Sequence, residues 1–437
     1  MSTKRPPDAP LQPTFEGRYD VVVIGGGPAG ATVAALVAKE GHRVLVLDRS
    51  QFPRFHVGES LIPETYGTLS RLGLIDALRQ SAFPKKYSVQ FVADSGKVSE
   101  PFYFDEHNPG QSSQTWQVVR SDFDKLLLDN ASAHGATVRT DAQVLDAVFD
   151  GERAAGVRVK TGNDQDSDTP RTIEASAVVD ATGQSAFLAS RLGLKEPDHR
   201  LRKGTIWSYF RGAQRDSGRD EGATIILQTP GKKSWFWYIP LPDDVVSVGC
   251  TGSMHYIFGK DRSTPEETFN CEVERCPALR DRLEGSERTA DFFTTKDFSY
   301  YSKRGAGPGW VLIGDAFGFI DPVYSSGVFL ALKSGEFAAD ALIEALQHGD
   351  FSESRLGGWQ LDYSKGIEQF RKLVYAFYTP GFSFGKFLQD HPRFQRHLTD
   401  ILIGDVFKPE IGEMFEAMGD VIPPSDLEPH VACESDE

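Results

Sequence analysis

The chain has 437 residues, of which 40% are hydrophobic and 25% charged, and its formal net charge is −15. This length predicts two to three domains with a core large enough to hold a cofactor. The negative charge argues against nucleic acid and anionic membranes as partners. No apolar run approaches the roughly 20 residues of a membrane span, the polar start contains no signal peptide, and the four cysteines lack metal or disulfide spacing. We therefore expect a cytoplasmic protein without a membrane span or a bound metal.

The first predicted elements form a βαβ unit. After a leader that is expected to be disordered up to about residue 15, the apolar run 19–24 predicts a strand and residues 25–30 a glycine turn. Residues 31–40 then predict a helix, and residues 43–47 a second strand. This order is typical of a doubly wound, mostly parallel sheet. The further elements of this unit are a helix over 59–80 with a break near Gly73, a helix over 118–134, a hairpin over 138–159, a polar loop over 161–170 and a strand over 173–182.

The sequence pattern changes at about residue 204. From there to residue 252, short runs with alternating apolar residues predict a separate antiparallel sheet. Its predicted strands are residues 205–211, 223–228, 235–240 and 245–251. The chain then returns to the first unit, with a predicted buried strand at 310–315 and a long helix at 327–347, followed by a helical region over 348–420 and a loose acidic tail from residue 423.

A glycine turn in the first unit has the pattern of a dinucleotide site. Gly25, Gly27 and Gly30 match Gly-x-Gly-x-x-Gly, with Pro28 and Ala29 between the last two, and the motif lies between a strand and a helix. Glycine here permits a tight turn, the approach of a pyrophosphate and close helix packing, and the helix N-terminus receives the phosphates. The alternative is a glycine-rich turn without a ligand.

The residues after the second strand extend this prediction. Asp48 ends that strand, where a carboxylate can accept hydrogen bonds from a ribose, and Arg49 beside it is expected to contact the same cofactor.

Three later segments resemble the FAD-binding motifs of the p-hydroxybenzoate hydroxylase-like superfamily. Gly314-Asp315 follows a strand and resembles the motif whose acid holds the ribityl chain, Arg120 resembles the FAD-contacting arginine, and residues 181–183 (Ala-Thr-Gly) match the middle motif. The resemblance implies an α/β fold. Its parts would be a Rossmann-like FAD-binding domain of this type, an inserted antiparallel β-sheet substrate domain and a helical C-terminal region.

We divide the chain accordingly. The predicted segments are the FAD-binding domain in two parts (16–200 and 291–347), the substrate domain (201–290) and the C-terminal helical region with its acidic tail (348–437). No second Gly-x-Gly-x-x-Gly follows a strand, because the glycines at 305–309 precede one. We therefore expect no nicotinamide-binding domain, and reducing equivalents from transient NAD(P)H binding or from a separate flavin reductase.

Two longer motifs resemble those of flavin-dependent halogenases within this superfamily. Residues 235–240 (Trp-Phe-Trp-Tyr-Ile-Pro) match Trp-x-Trp-x-Ile-Pro, and residues 319–327 match Phe-x-x-Pro-x-x-Ser-x-Gly. Alternation along a strand puts Trp235 and Trp237 on one face, where two indoles can keep an organic substrate away from a flavin. Core packing is the alternative for each aromatic residue taken alone.

The second motif leads into the long predicted helix. Ser325 and Gly327 stand at its N-terminus, which can stabilise the negative edge of a flavin and a bound halide. The alternative for Ser325 or Ser326 is side-chain capping of that helix.

Two shorter segments also resemble family motifs. One is Gly58-Glu59-Ser60 at the start of the first long predicted helix, and the other contains Lys86, which resembles the catalytic lysine of the family. The family usually has glycine two residues after that lysine, whereas this chain has Ser88, so Lys85 stays open as the alternative.

The resemblance implies a reaction in two places. Reduced FAD reacts with O₂ and with chloride or bromide to give hypohalous acid, which the lysine then holds near an electron-rich carbon. The lysine acts either as an ammonium donor or as a haloamine, and burial would lower its pKa toward either role.

One departure from the family bears on the substrate. Tryptophan halogenases have a glutamate before the motif serine, and this chain has Tyr324 there. The tyrosine resembles the subgroup that acts on phenolic, pyrrolic or carrier-tethered substrates, including the chondrochloren halogenase. We therefore expect an aromatic small molecule or a carrier-bound group as substrate. The alternatives are a flavin monooxygenase, a reductase that resembles geranylgeranyl reductase, and a flavoprotein that has lost catalysis.

Overall fold

The computed structural model describes residues 17–161, 170–259 and 264–421. The predicted leader, most of the polar loop at 161–170 and the acidic tail from residue 423 lie outside these ranges. The strands are β1 (Tyr19–Ile24), β2 (Val44–Leu47), β3 (Lys85–Lys86), β4 (Ser88–Val92), β5 (Phe102–Tyr103), β6 (Thr115–Trp116), β7 (Thr137–Arg139), β8 (Ala142–Asp150), β9 (Arg153–Thr161), β10 (Arg171–Asp180), β11 (Lys195–Pro197), β12 (Lys203–Arg211), β13 (Thr224–Gln228), β14 (Ser234–Pro240), β15 (Val245–Ser253), β16 (Glu287–Arg288), β17 (Phe293–Lys296), β18 (Tyr300–Ser302), β19 (Ala306–Gly307), β20 (Trp310–Leu312) and β21 (Gly318–Phe319).

The helices follow the same chain order. They are α1 (Pro28–Lys39), α2 (Thr65–Arg71), α3 (Ile75–Gln80), α4 (Arg120–Ala133), α5 (Phe187–Arg191), α6 (Met254–Ile257), α7 (Pro265–Glu274), α8 (Pro277–Leu283), α9 (Ser326–His348), α10 (Glu353–Gly357), α11 (Gln360–Tyr378), α12 (Phe384–Asp390), α13 (Gln395–Ile403) and α14 (Gly412–Met418).

The first sheet is built on five parallel strands in the spatial order β20-β10-β1-β2-β7. Its central strand β1 is apolar on both faces, because Val21 and Val23 pack beneath α1, α4 and α9 while Val22 and Ile24 belong to the opposite core cluster. The predicted hairpin forms as β8 and β9, and β9 pairs antiparallel with β10. The predicted doubly wound α/β unit is therefore present.

The long helix α9 lies directly against α1. A Cβ atom on Gly335 would lie only 2.7 Å from the backbone oxygen of Ala29, so the absence of a side chain allows the close crossing. The crossing brings the N-terminal turns of both helices to the same cavity, which Ala29 and Gly327 both line.

The second sheet contains all four strands predicted between residues 204 and 252. Its spatial order is β16-β12-β15-β14-β13-β4-β5, and β17 also pairs with β12. The neighbours from β12 to β13 are antiparallel, but β4 joins β13 in parallel, with Ile226 opposite Phe91. Strands from outside residues 201–290 therefore complete the sheet, and the division of the chain into domains stays a prediction.

The helix predicted over residues 59–80 is wrong in its first part. Residues 59–61 are extended and are held by hydrogen bonds from Val118 N to Glu59 O (2.7 Å) and from Leu61 N to Trp116 O (3.1 Å). Helices α2 and α3 begin only at Thr65 and Ile75. Two local features explain the delay: Gly58 has a φ of +105°, and Pro63 disfavours helical geometry at the residue before it.

The C-terminal region is helical, as predicted, and consists of α10 to α14 within the described residues. Aromatic side chains attach it to α9: the rings of Phe337 and Phe407 lie 5.7 Å apart, and a Cβ atom on Gly366 would lie 2.4 Å from the Phe407 ring. Among the described helices, none combines the length and the apolar character that crossing a membrane requires.

Candidate active site

One cavity of about 620 Å³ lies between the two sheets. Its walls contain the glycine turn after β1, the chain after β2, the turn after β10, the inner face of the second sheet and the start of α9. The predicted residues that line it are Gly25, Gly27, Pro28, Ala29, Asp48, Arg49, Arg120, Trp237, Asp315, Ser325 and Gly327. The predicted residues that do not line it are Gly30, Lys86, Trp235 and Gly314.

The glycine turn has the geometry that the motif predicts. Gly25 has a φ of +104°, and a Cβ atom there would lie 2.3 Å from the Ala181 backbone oxygen. A Cβ atom on Gly30 would lie 1.9 Å from the Gly25 oxygen, so both positions require glycine. The free N–H groups at the start of α1 then face the cavity that Gly27 and Pro28 line.

Asp48 stabilises this turn from the end of β2. It is 8% exposed, and its two carboxylate oxygens accept hydrogen bonds from Gly26 N (2.8 Å) and Ser50 N (2.8 Å). Each oxygen keeps a second lone pair for a ligand hydroxyl. Arg49 is exposed beside it at the cavity wall.

Arg120 and Asp315 face the same cavity from different elements. Arg120 begins α4, donates to both oxygens of Asp124 (2.8 and 3.1 Å) and donates to Val57 O (2.8 Å). Burial raises the pKa of Asp315 to about 6, and the charge of Arg120 opposes that rise. Gly314 before it has a φ of +57°, and a Cβ atom there would lie 3.0 Å from the side chain of Ala29.

The start of α9 is formed by the second long motif. Ser325 is left-handed (φ 55°, ψ 25°), and its side chain makes no capping hydrogen bond, so the capping alternative for Ser325 is wrong. Asp321, which the sequence analysis missed, also lines the cavity and accepts hydrogen bonds from Val323 N and Tyr378 Oη (both 3.0 Å). Burial raises the pKa of Asp321 to about 6. Tyr324 is buried against Phe377.

The two tryptophans of β14 have different positions. Trp237 lines the cavity and packs on Gly249 in the neighbouring strand, where a Cβ atom would lie 2.1 Å from its ring. Trp235 lies behind it, with ring centroids 6.2 Å apart, and its Nε1 donates to Tyr378 Oη (2.8 Å). Trp207 of β12 lines the cavity as well, which the sequence analysis missed. The indole surface at the cavity is therefore formed by Trp207 and Trp237.

Lys86 is buried beside the cavity. Its side chain is 2% exposed, and Nζ donates to Ser60 Oγ (2.8 Å) and to Leu61 O (3.0 Å). Burial lowers its pKa to about 7. Lys85, the alternative, is exposed. Ser60 is the contact of Lys86 that lines the cavity.

A second acid lies close to Arg120. Glu59 is 2% exposed, lines the cavity and accepts a hydrogen bond from Tyr209 Oη (2.7 Å). Burial raises its pKa. The sequence analysis missed the buried Gln117 and Thr224 and the half-buried Tyr209. They contact the Gly-Glu-Ser motif only through long-range folding, so no local pattern could have identified them.

The chemistry of these groups fits FAD. The turn can be formed only by glycine at two positions, helix N–H groups are available for a pyrophosphate, and carboxylates at Asp48 and Asp315 are available for ribose and ribityl hydroxyls. The same cavity reaches the indole surface and Ser60.

Comparisons with known proteins agree with this fit. Residues 18–356 match the family model of an FAD binding domain. The chain is 33% identical over 433 residues to a 1H-pyrrole-2-carbonyl-[peptidyl-carrier protein] chlorinase of Pseudomonas fluorescens, with 94% of each chain covered. Among solved structures it is similar to the flavin-dependent brominase Bmp2 (TM-score 0.82, 29% identity, 92% and 98% covered). It is also similar to the myxobacterial chondrochloren halogenase CndH (TM-score 0.77, 31% identity, 94% and 99% covered).

Fold, cavity chemistry and relatives together assign the family. FAD is the cofactor of this protein, with halide as co-substrate, and the chain belongs to the flavin-dependent halogenases.

Proposed function

We propose that this chain halogenates an aromatic group that is tethered to a carrier protein, and that Lys86 holds the halogenating species. The observation that carries the proposal is that Lys86 is buried, has a lowered pKa and donates a hydrogen bond to Ser60. Ser60 lines the same cavity as the glycine turn. Burying a lysine costs free energy, so a buried lysine beside a cavity indicates a chemical role.

FAD would be held by the residues of the first unit. We assign the pyrophosphate to Gly25, Gly27, Pro28, Ala29 and Gly30, because they form the turn and the start of α1. Two further groups would complete the site: Asp48 and Arg49 at the ribose, and Arg120, Gly314, Asp315 and Gly327 at the ribityl chain and the flavin. When bound and reduced, FAD supplies the reducing equivalents that activate O₂ for oxidation of chloride or bromide to hypohalous acid.

Ser325 and Gly327 would receive the halide and the edge of the flavin. Support comes from the left-handed turn at Ser325, which ends at the N-terminus of a 23-residue helix. The positive end of that helix dipole favours negative charge.

Trp237 would separate the flavin from the organic substrate. It lines the cavity on a rigid strand and is backed by Trp235, whose indole N–H is bound to Tyr378. We therefore assign exclusion of the substrate to Trp237 and support of its position to Trp235. Trp207 extends the same surface.

Lys86 can act in two protonation states near neutral pH. With a pKa of about 7, it is present both as an ammonium donor and as a nucleophilic amine. Hypohalous acid held by either form would be kept from water and presented to an electron-rich carbon.

The substrate class is supported by two observations. The relative from Pseudomonas fluorescens acts, by its name, on a pyrrole carried by a peptidyl carrier protein, and it matches nearly the whole of this chain. Tyr324 stands at the position where tryptophan halogenases have a glutamate. Free aromatic molecules, phenols among them, are the second candidate class.

Reduced FAD would come from a separate flavin reductase. Among the described residues, one parallel sheet carries one glycine turn of the dinucleotide type. A cytoplasmic location fits this supply, since reductases and NADH are available there.

The test is a product analysis. The protein is incubated with FAD, a flavin reductase, NADH, O₂ and bromide or chloride, together with pyrrole-2-carbonyl carrier protein, free pyrrole-2-carboxylate, phenols and tryptophan. We expect mass spectrometry to detect halogen on the carrier-bound pyrrole first. Addition of oxygen instead of halogen would support a monooxygenase, and products from free tryptophan alone would contradict the substrate class.

A further inference from the structure

Lys86 reaches the cavity through other side chains. It does not line the cavity, whereas Ser60 and Thr224 do. The Nζ atom of Lys86 donates to Ser60 Oγ over 2.8 Å, and Ser60 Oγ lies 2.9 Å from Thr224 Oγ1. A hydrogen-bonded route of side chains therefore connects the lysine with the cavity wall.

Gln117 holds the far end of this route. Its Nε2 donates both to Thr224 Oγ1 and to the Gly222 backbone oxygen (2.8 Å each). Because a carbonyl oxygen can only accept, the contact with Gly222 fixes the orientation of the amide. Lys86, Ser60, Gln117 and Thr224 are all at most 4% exposed.

The same cluster contains buried polar atoms that have no hydrogen-bond partner among the described residues. Gln117 Oε1 and the hydroxyl of Thr115, the residue paired with Lys86 between β3 and β6, have no hydrogen-bond partner in the part of the chain that the structure describes. Buried polar groups are seldom left unpaired without a role or a bound molecule.

The protonation state of Lys86 determines the direction in which the Ser60 hydroxyl donates its proton. A hydroxyl has one proton and two lone pairs. Thr224 Oγ1 accepts a hydrogen bond from Gln117 Nε2, and its own hydroxyl can donate to Ser60 Oγ. If Lys86 is an ammonium, it also donates to Ser60, whose own proton is then directed to the cavity. If Lys86 is an amine, its lone pair can accept the proton of Ser60.

We propose that Ser60 is a catalytic residue whose hydroxyl transfers protons between Lys86 and hypohalous acid in the cavity, and that Thr224 and Gln117 are positioning residues that orient it. The inference rests on the proposed function of Lys86 and adds the group through which the lysine acts.

The step is balanced without a further reagent. The O–X bond of hypohalous acid breaks and a C–X bond forms, with the electron pair of O–X remaining on oxygen. Ser60 gives its proton to that oxygen, which leaves as water, and Lys86 replaces the proton of Ser60. The proton lost from the halogenated carbon returns through Ser60 to the Lys86 amine, so the net change is ArH + HOX → ArX + H₂O.

The experiment compares five variants with the wild-type protein, all saturated with FAD. We expect Ser60→Ala to lower the rate of halogen transfer in a single turnover by roughly 10–100-fold, the scale of losing a proton-transfer group. The yield of hypohalous acid trapped in solution should be retained or should increase. Ser60→Thr keeps a hydroxyl and should recover most of the rate.

Thr224→Val tests the positioning role. Loss of one hydrogen bond to Ser60 should lower the rate by about 2–10-fold and should move the midpoint of the pH–rate profile. Thr251→Val is the matched control, because it breaks another buried threonine pair of the same sheet (Thr205 Oγ1 to Thr251 Oγ1, 2.8 Å) that makes no hydrogen bond to Lys86 in the described structure. Its pH midpoint should equal that of the wild type.

Two results separate the possible failures. If Lys86→Ala is inactive while Ser60→Ala and Thr224→Val keep the wild-type rate and pH midpoint, the relay is wrong and the role of Lys86 stands. The relay is also wrong if Ser60→Ala is slow, Ser60→Thr does not recover and the midpoints do not move, since Ser60 would then only pack. Full activity of Lys86→Ala would instead contradict the proposed function.

Discussion

Lys86 combines burial with hydrogen bonds to a serine and a carbonyl oxygen, whereas its neighbour Lys85 is exposed. The two residues differ by one position in a strand, so their side chains point to opposite faces. Their substitution by alanine is therefore a matched pair.

Lys86→Ala should keep FAD binding and formation of hypohalous acid, while product halogenation falls by at least roughly 100-fold, the scale of losing a positioned catalytic group. Lys85→Ala should behave as the wild type. The measurement is the amount of halogenated product per FADH₂ consumed. Equal activity of both variants would exclude the lysine mechanism.

The lowered pKa of Lys86 also predicts a pH dependence of stability. The folded pKa is about 7 and the ordinary value is 10.5, so between these pH values the unfolded chain binds more protons than the folded one. Stability should then rise with pH across this window, and the cost of burying Lys86 should be largest below pH 7.

Lys86→Met should remove that cost. We expect its free energy of unfolding at pH 7 to exceed that of the wild type by about 1–3 kcal/mol after loss of the two hydrogen bonds. The difference should shrink toward pH 10. Denaturant unfolding at several pH values measures it, with Lys85→Met as the control. A difference that does not change with pH would mean that Lys86 is not buried as a titrating group.

Asp315 is expected to bind FAD in its ionised form. Asp315→Ala should weaken FAD binding by roughly 1.5–3 kcal/mol, the loss of charged hydrogen bonds, which is about 10–150-fold in Kd. Because its pKa is about 6, wild-type affinity should fall as the pH decreases through 6. Asp315→Asn should lack this part of the pH dependence, and titration of FAD by fluorescence would measure both. Since Asp321 has a similar pKa, an unchanged pH profile in Asp315→Asn would assign the effect to Asp321.

At the scale of elements, the C-terminal helix α11 is connected to both long motifs by one side chain. Tyr378 Oη accepts from Trp235 of β14 and donates to Asp321 before α9. Lys203 lies over the Tyr378 ring, 3.4 Å from its centroid. The C-terminal region therefore supports β14 and the turn before α9 together.

Tyr378→Phe should destabilise the protein by about 1–3 kcal/mol, because it leaves a buried indole N–H and a buried carboxylate without this partner. The control is Tyr375→Phe, one turn earlier in the same helix. It removes a similar hydrogen bond to Asp198 (2.8 Å), but Asp198 keeps Arg371 within 3.7 Å. Its cost should be smaller, and thermal unfolding of both variants is the measurement. Equal costs would mean that the Trp235–Tyr378–Asp321 contacts add nothing beyond local packing.

The elements themselves were predicted with unequal success for physical reasons. Four strands of the second sheet (β12, β13, β14 and β15) were predicted because their apolar residues alternate, whereas β4, β5, β16 and β17 of the same sheet were not predicted. The C-terminal region was predicted to be helical, and α11 lies within it. The extended chain at Glu59 and Ser60 was missed because its hydrogen bonds go to residues 116 and 118, more than 50 positions away.

At the scale of the whole molecule, the two sheets enclose one cavity that contains both the glycine turn and the indole surface. The first sheet provides the groups expected to bind FAD, and the second sheet provides the indole wall. Lys86 lies in the separate β3–β6 pair and donates to the extended chain at Ser60 and Leu61. We expect this division to separate oxidation of the halide from modification of the substrate.

The source of the electrons that reduce FAD is also a property of the whole molecule. With one dinucleotide turn among the described residues, the purified protein should reduce FAD slowly with NADH or NADPH, and a flavin reductase should restore halogenation. Stopped-flow absorbance of FAD measures the rate. Rapid, saturable reduction by the purified protein alone would contradict the proposal of a separate reductase.

Local sequence patterns were sufficient to predict the residues whose role depends on their neighbours in the chain. Gly25 and Gly30 can be recognised because neighbouring backbone leaves no room for a Cβ atom, and the alternation in residues 235–240 assigns Trp235 and Trp237 to one face. The family could be recognised because its motifs are short segments whose residue types are needed at fixed spacing.

How those segments meet depends on contacts between distant parts of the chain. Trp237 reaches the cavity, whereas Trp235 is covered by Tyr378, which lies 143 residues later in the chain. The preference for Lys86 over Lys85 and the contacts of Ser60 with Thr224 likewise depend on which strands pair. Burial and hydrogen bonding are properties of residues brought together from distant parts of the chain, so no local pattern specifies them.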